Sequence, residues 1–129
     1  MSIYLEKHFA VSAKRLFQDF THSEGHKNLT GAEAEIKPEV GTEFKAWDGY
    51  IQGRNLAVEA HSRILQTCRT SEFTDDMPDS LLEIEFKEDA SGTLLCLTHT
   101  NIPEDQIEDY RKGWVEHYFE PMTTYYSTK

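Results

Sequence analysis

Six histidines and two cysteines are the side chains of this sequence best suited to acid–base, nucleophilic or metal chemistry near neutral pH, and their spacing decides which is open to them. His22 and His26 stand i, i+4 on a short polar helix, a spacing that suits zinc, but no third ligand is identifiable and there is no paired CxxC, so no metal is expected. His99 ends a strand whose alternate residues point inward, and His117 neighbours the helix face expected to cover it. A pocket histidine there, beside Tyr118, could act as acid or base; the alternative, which the pattern favours, is a hydrogen-bonded histidine at the rim. Cys68 would need a base or a cation to become a thiolate, and its neighbour Arg69 points to the other face of the strand, so a buried, inert thiol is expected. Arg69 is then available to pair on the outer face with an acid such as Glu83 or Glu85. No catalytic residue and no cofactor follow from these positions.

The aromatic residues offer binding instead. Trp47, Trp114, Tyr110, Tyr118, Tyr125 and Tyr126 could wall an apolar ligand, although their spacing is equally that of core residues, so the elements that carry them matter. Trp47 belongs to residues 41–70, where turn signals cut an aromatic and β-branched run into three short strands. Asp48-Gly49 between Trp47 and Tyr50 favours a two-residue hairpin turn with positive φ angles, and Gly53 suggests a bulge or a close backbone approach that curves the sheet. The other aromatics recur at spacings of three and four between Glu104 and about Tyr126, which predicts one long amphipathic helix. Asn101 as cap, Pro103 in the first turn and the acids Glu104 and Asp105 mark its start. Gly113 and Pro121 oppose it by about 1 and 3 kcal/mol, and a bend is expected near His117, whose carbonyl finds no donor at Pro121.

Elsewhere, residues 2–10 suit a first strand, Ser12 caps a helix stapled by Val11 and Leu16, and a second short turn covers His22 to Asn28. Strands follow over 32–36, 42–47, 50–60, 63–70, 80–88 and 92–100, about seven in all with the first, set in hairpin order with the first strand beside the last. That order is an α+β pattern, a curved antiparallel sheet wrapped on a long C-terminal helix. Alternation turns Leu56, Val58, Ile64, Cys68, Leu82, Ile84, Phe86, Leu95 and Leu97 toward Trp114 and Tyr118 on the helix. These positions fit a cavity or a filled core equally in kind, and a filled core is the commoner outcome.

Composition narrows the partners. A chain of 129 residues with 38% apolar content fits one domain over 1–129, and no apolar run long enough for a membrane span or a secretory leader is present, so a cytoplasmic location is expected. A formal charge of −10, from 23 acidic and 13 basic residues, argues against nucleic acid and anionic membrane. Acids such as Glu33 and Glu35, or Glu83 and Glu85, read as solvent faces, or as a surface for a basic partner. Cys68 and Cys96 fall on strands separated by a third, too far apart to bridge.

The stretches VGTEFKAWDGYIQG, RILQTCRT, SGTLLCLTHTNIP and YRKGWVEHYFEPMTTYY together resemble the family of activators of the heat-shock-protein-90 ATPase, in its C-terminal-type domain. The resemblance spans nearly the whole chain and implies a helix-grip fold of the START-like (SRPBCC) superfamily. It implies one of two roles: binding of a small apolar or amphipathic molecule between sheet and helix, or docking onto a heat-shock-protein-90 chaperone. A weak acid–base enzyme of the superfamily is a third. Because the co-chaperones of this family carry an additional N-terminal domain, stand-alone ligand binding is the expected role here. The ligand-binding candidates are Phe44, Trp47, Leu56, Val58, Ile64, Cys68, Leu82, Ile84, Phe86, Leu95, Leu97, His99, Trp114, His117 and Tyr118. Cys68 stands where many relatives have tryptophan, an exchange expected either to open a cavity near Ile64 and Leu82 or to be absorbed by its neighbours. Ligand identity and oligomeric state are not encoded in any of these features.

Overall fold

The antiparallel sheet is built by hairpins, and its order follows from that. In a computed structural model, which describes residues 2–127, β1 (Ile3–Phe9) leads into α1 (Ala13–Thr21) and α2 (Ser23–Thr30). Then come β2 (Glu43–Ala46), β3 (Ile51–Glu59), β4 (Arg63–Thr70), β5 (Ser80–Asp89) and β6 (Gly92–Thr100). The six strands lie in the order β1-β6-β5-β4-β3-β2, with the first strand beside the last. The expected strand over 32–36 is reduced to a single bridge, Glu35 to Lys45, so the described residues form six strands and not seven. A C-terminal helical rod covers the inner face: a 3₁₀ turn (Glu104–Gln106), α3 (Ile107–Trp114), a π turn (Val115–Phe119) and α4 (Glu120–Ser127).

Local chemistry explains most of the boundaries. The Ser12 hydroxyl accepts the Arg15 N–H at 3.1 Å and caps α1, while Val11 packs on the same core as Leu16. Asn101 does not cap the C-terminal rod; it sits in the left-handed region with φ 59° and its amide donates to the Asp79 carbonyl, and Pro103 is the residue before the first turn. The disturbance expected from Pro121 falls at His117, but as a π turn: the Glu120 N–H reaches back five residues to the Val115 carbonyl. Such a wide turn re-satisfies backbone groups where a proline breaks the ordinary ladder.

The β2–β3 connection also departs from the two-residue turn. Ala46 pairs with Ile51, leaving the four residues 47–50 as the loop, with positive φ at Trp47, Asp48 and Gly49. Gly53 is a close backbone approach and not the bulge; a Cβ there would lie 1.9 Å from the Thr67 carbonyl oxygen. The bulge falls between Asn55 and Ala57. It turns Leu56 out to solvent, 42% exposed, and puts Asn55 inside, which corrects the expectation that Leu56 faces the helix. Asn55 is held there by donating to the Lys37 and Glu39 carbonyls and accepting from Gln66. Arg69 pairs with Asp79 at 2.6 Å, whereas Glu83 pairs with Arg63.

The core divides along the rod. Phe9, Leu16, Phe17, Phe20, Phe86 and Met122 fill the space between α1, α4 and the β1–β6–β5 side of the sheet. Toward the β2–β3–β4 side, where Trp47, Cys68 and Trp114 face one another, the interior stays open.

Candidate functional site

A cavity of about 490 Å³ lies between α3, the π turn and the sheet. Strands β4 and β6 supply its floor with Cys68, Thr70 and His99, and the β2–β3 loop with the first residue of β3 supplies a wall with Trp47, Tyr50 and Ile51. The rod supplies Tyr110, Gly113, Trp114 and Tyr118. Exposed Tyr50, Asp109, Lys112, Glu116 and His117 form the rim. The volume is within the range of small-molecule sites, and the lining is largely aromatic, as such sites tend to be.

The polar groups of the floor are mostly tied to one another. Trp114 Nε1–H donates to His99 Nδ1 at 3.1 Å, so the opposite nitrogen carries the proton and donates to Ser80 Oγ at 2.7 Å, which donates onward to the Cys68 carbonyl. Burial lowers the His99 pKa to about 4 and holds the ring neutral. The Tyr110 hydroxyl lies between Gln106 Oε1 and Thr70 Oγ1, at 2.5 and 2.6 Å. Tyr118 donates to His26 Nε2 at 2.8 Å, and His26 donates from Nδ1 to the Phe20 carbonyl. Desolvation raises the pKa of both tyrosines and lowers that of His26, so this network carries no charge near neutrality. Burial likewise pushes the Cys68 thiol up to about 12. Trp47 differs: its indole N–H is buried and has no hydrogen-bond partner.

Of the residues singled out in the sequence, Trp47, Cys68, His99, Tyr110, Trp114, His117 and Tyr118 are brought together around the cavity. Ile64, Leu82, Ile84, Phe86, Leu95 and Leu97 lie in the filled core, with Val58 packed against it, so the space beside Cys68 opens toward Trp47 and not toward Ile64 and Leu82. Phe44 is buried beside Gly53 and lines a separate polar depression with Arg54 and Arg69, and Leu56 is outside altogether. The lining residues Tyr50, Ile51, Thr70 and Gly113, and the rim residues Asp109, Lys112 and Glu116, were not expected there. Of these, Thr70 continues the Cys68 alternation on β4 and was legible in principle; Gly113 registered only as a helix breaker.

A curved antiparallel sheet gripping a C-terminal helix, with a pocket between them, defines the helix-grip class of START-like domains. Within that class, residues 10–127 match the family model described as "Activator of Hsp90 ATPase homolog 1-like protein", and the chain belongs to this family. It is 26% identical over 118 residues to the human "Activator of 90 kDa heat shock protein ATPase homolog 1", an alignment covering 92% of this chain and 35% of that protein. The chain thus spans about a third of the length of that curated relative. An HSP90 activator from Plasmodium falciparum superposes with a TM-score of 0.88 at 24% identity, covering 96% of this chain and 94% of that one. A protein from Mesorhizobium loti does so with 0.84 at 20% identity, covering 100% and 98%. At these identities the structural likenesses speak to the fold.

Proposed function

We propose that this domain binds a small apolar or amphipathic molecule in the cavity between the sheet and the C-terminal rod. The observation that carries the reading is the contrast between an aromatic cavity of about 490 Å³ and a lining whose buried polar side chains, Trp47 apart, are satisfied internally, so that apolar surface is what the interior chiefly offers an occupant. Gly113 supports it. A Cβ at that position would meet nothing closer than 3.9 Å, so packing does not call for glycine in mid-helix, where glycine costs about 1 kcal/mol relative to alanine. Its missing side chain leaves the mouth of the cavity clear.

The role is binding and not catalysis. His99 has both nitrogens engaged and stays neutral, and Cys68 is a buried thiol with a raised pKa, so neither is poised as acid, base or nucleophile near pH 7. The test is titration with prodan, a neutral naphthalene bearing a ketone and a dimethylamino group, whose fluorescence reports transfer into an apolar site. Saturable binding that Gly113→Leu weakens at least about tenfold, with thermal stability kept, is the expected result. Equal binding by the two proteins, or none by the wild type, contradicts the reading.

A second reading rests on the relatives named as activators of a 90-kDa heat-shock-protein ATPase: the domain docks on such a chaperone through its acidic surface. Pull-down of the chaperone, weakening as salt rises, is its expected signature. Retention unchanged by salt, or no retention, counts against it.

A further inference from the structure

Trp47 carries two unfavourable features at once, although its ring packs on the core edge-on to Tyr118. Its backbone lies in the left-handed region, φ 52°, where a bulky side chain is rare. Its indole N–H is the one buried side-chain polar atom without a hydrogen-bond partner among the described residues. The Tyr118 hydroxyl oxygen lies close by and, its own proton going to His26, keeps a lone pair, yet the indole closes no hydrogen bond to it. The segment before β2 holds the loop in this shape: Asp48 N–H donates to the Glu33 carbonyl at 3.0 Å, and Asp48 Oδ1 accepts the Glu33 N–H at 3.0 Å. The indole is thereby fixed at the cavity, edge-on to His117 with ring centroids 5.3 Å apart. Strain held by surrounding structure and a buried donor without a closed hydrogen bond are both features of ligand-gripping positions.

We propose that Trp47 Nε1–H is the polar anchor of the cavity, and that its ligand is a neutral, largely apolar molecule carrying one hydrogen-bond acceptor such as a ketone, ester or ether oxygen. The inference rests on the binding reading above and adds the chemical class. An anion fits poorly. Asp109 and Glu116 stand at the rim against Lys112, and Lys112 lies 3.9 Å from Glu116, so the mouth has no surplus positive charge. With the other interior donors engaged, a ligand rich in polar groups would leave several of its own unpaired.

The experiment compares prodan with the same dimethylaminonaphthalene lacking the ketone, on wild type and Trp47→Phe, a variant that keeps a ring and removes the N–H. Wild type should prefer the ketone about fivefold, in line with one neutral hydrogen bond, and Trp47→Phe should bind the two compounds alike. In nitrogen-15 spectra of wild-type protein, the Trp47 indole resonance should move downfield with prodan and not with the ketone-free compound. This second readout needs no variant to fold. Equal affinities in wild type together with an unmoved indole resonance overturn the anchor while leaving the cavity reading intact. Failure of both compounds to bind wild type overturns the cavity reading, and the anchor with it.

Discussion

The two ends of the rod face the same sheet and are built on different terms. At the α4 end, Phe9 packs edge-to-face on Phe119 and Tyr126, Phe17 on Phe86, and Tyr126 donates to Asp19 at 2.8 Å, so apolar surface is matched to apolar surface throughout. At the α3 end, Cys68 and Gly113 are small where large residues could stand, and Tyr110, Trp114 and Tyr118 send their polar atoms back into the protein. Around Cys68 and Gly113 the fold has exchanged packing for volume. The filled packing surrounds α4, the start of α3 closes on a smaller cluster with Ile3, Phe73 and Ile102, and the space for an occupant lies between them, beside Cys68 and Gly113.

Truncation should separate the ends most sharply. Phe17→Ala, in the filled half, is expected to cost about 3–5 kcal/mol, read as a large fall in the urea midpoint. Acid tests the open half. His99 has its pKa lowered from 6.5 to about 4, so the folded state binds fewer protons than the unfolded one. Its contribution is present in full above about pH 6.5 and is lost as pH falls toward 4, on the order of 3 kcal/mol, and His26 acts in the same direction. Urea titrations across that window should show the fall, and a His99→Gln variant should flatten it.

Adding volume sharpens the contrast further. Ala13→Leu, in the filled half, should destabilise by about 1–3 kcal/mol through overpacking, whereas Cys68→Leu grows into the cavity and should change stability by less than about 1 kcal/mol while weakening prodan binding. The smallest effect is a gain: Gly113→Ala should raise stability by about 0.5–1 kcal/mol, measured as a higher melting temperature, because its Cβ meets only His117 at 3.9 Å. Loss of stability in that variant would show that the glycine serves packing after all.

Much of this architecture was legible in the sequence, for reasons that are local. The helix over 104–126 follows from aromatic spacing, the Ser12 cap from its side-chain chemistry, and the strand order from short hairpin connections, and the residues obey all three. The departures come where a distant segment intervenes. The bulge at Leu56 exists because the loop over 37–42 needs the Asn55 amide, and alternation along one strand carries no trace of that demand. The four-residue loop at Trp47 depends on clamping by Glu33, fifteen positions away. For the site, the inward strand residues were readable, but which of them face a void is set by side-chain sizes on both layers at once. Ile64 and Cys68 share one alternation, yet one is packed and the other lines space. Gly113 illustrates the same limit: propensity marks it as a breaker, and only the geometry across from it reveals an opening.

The most direct test of the two-ended account is a map of backbone and indole resonances during titration of the wild-type domain with prodan. Shifts should concentrate at Trp47, Cys68, Tyr110, Gly113 and Trp114, with Phe9, Phe17, Phe86 and Met122 unmoved. Shifts centred on the α4 end or on the outer face of the sheet, or no shift at a concentration where fluorescence shows saturation, would contradict it.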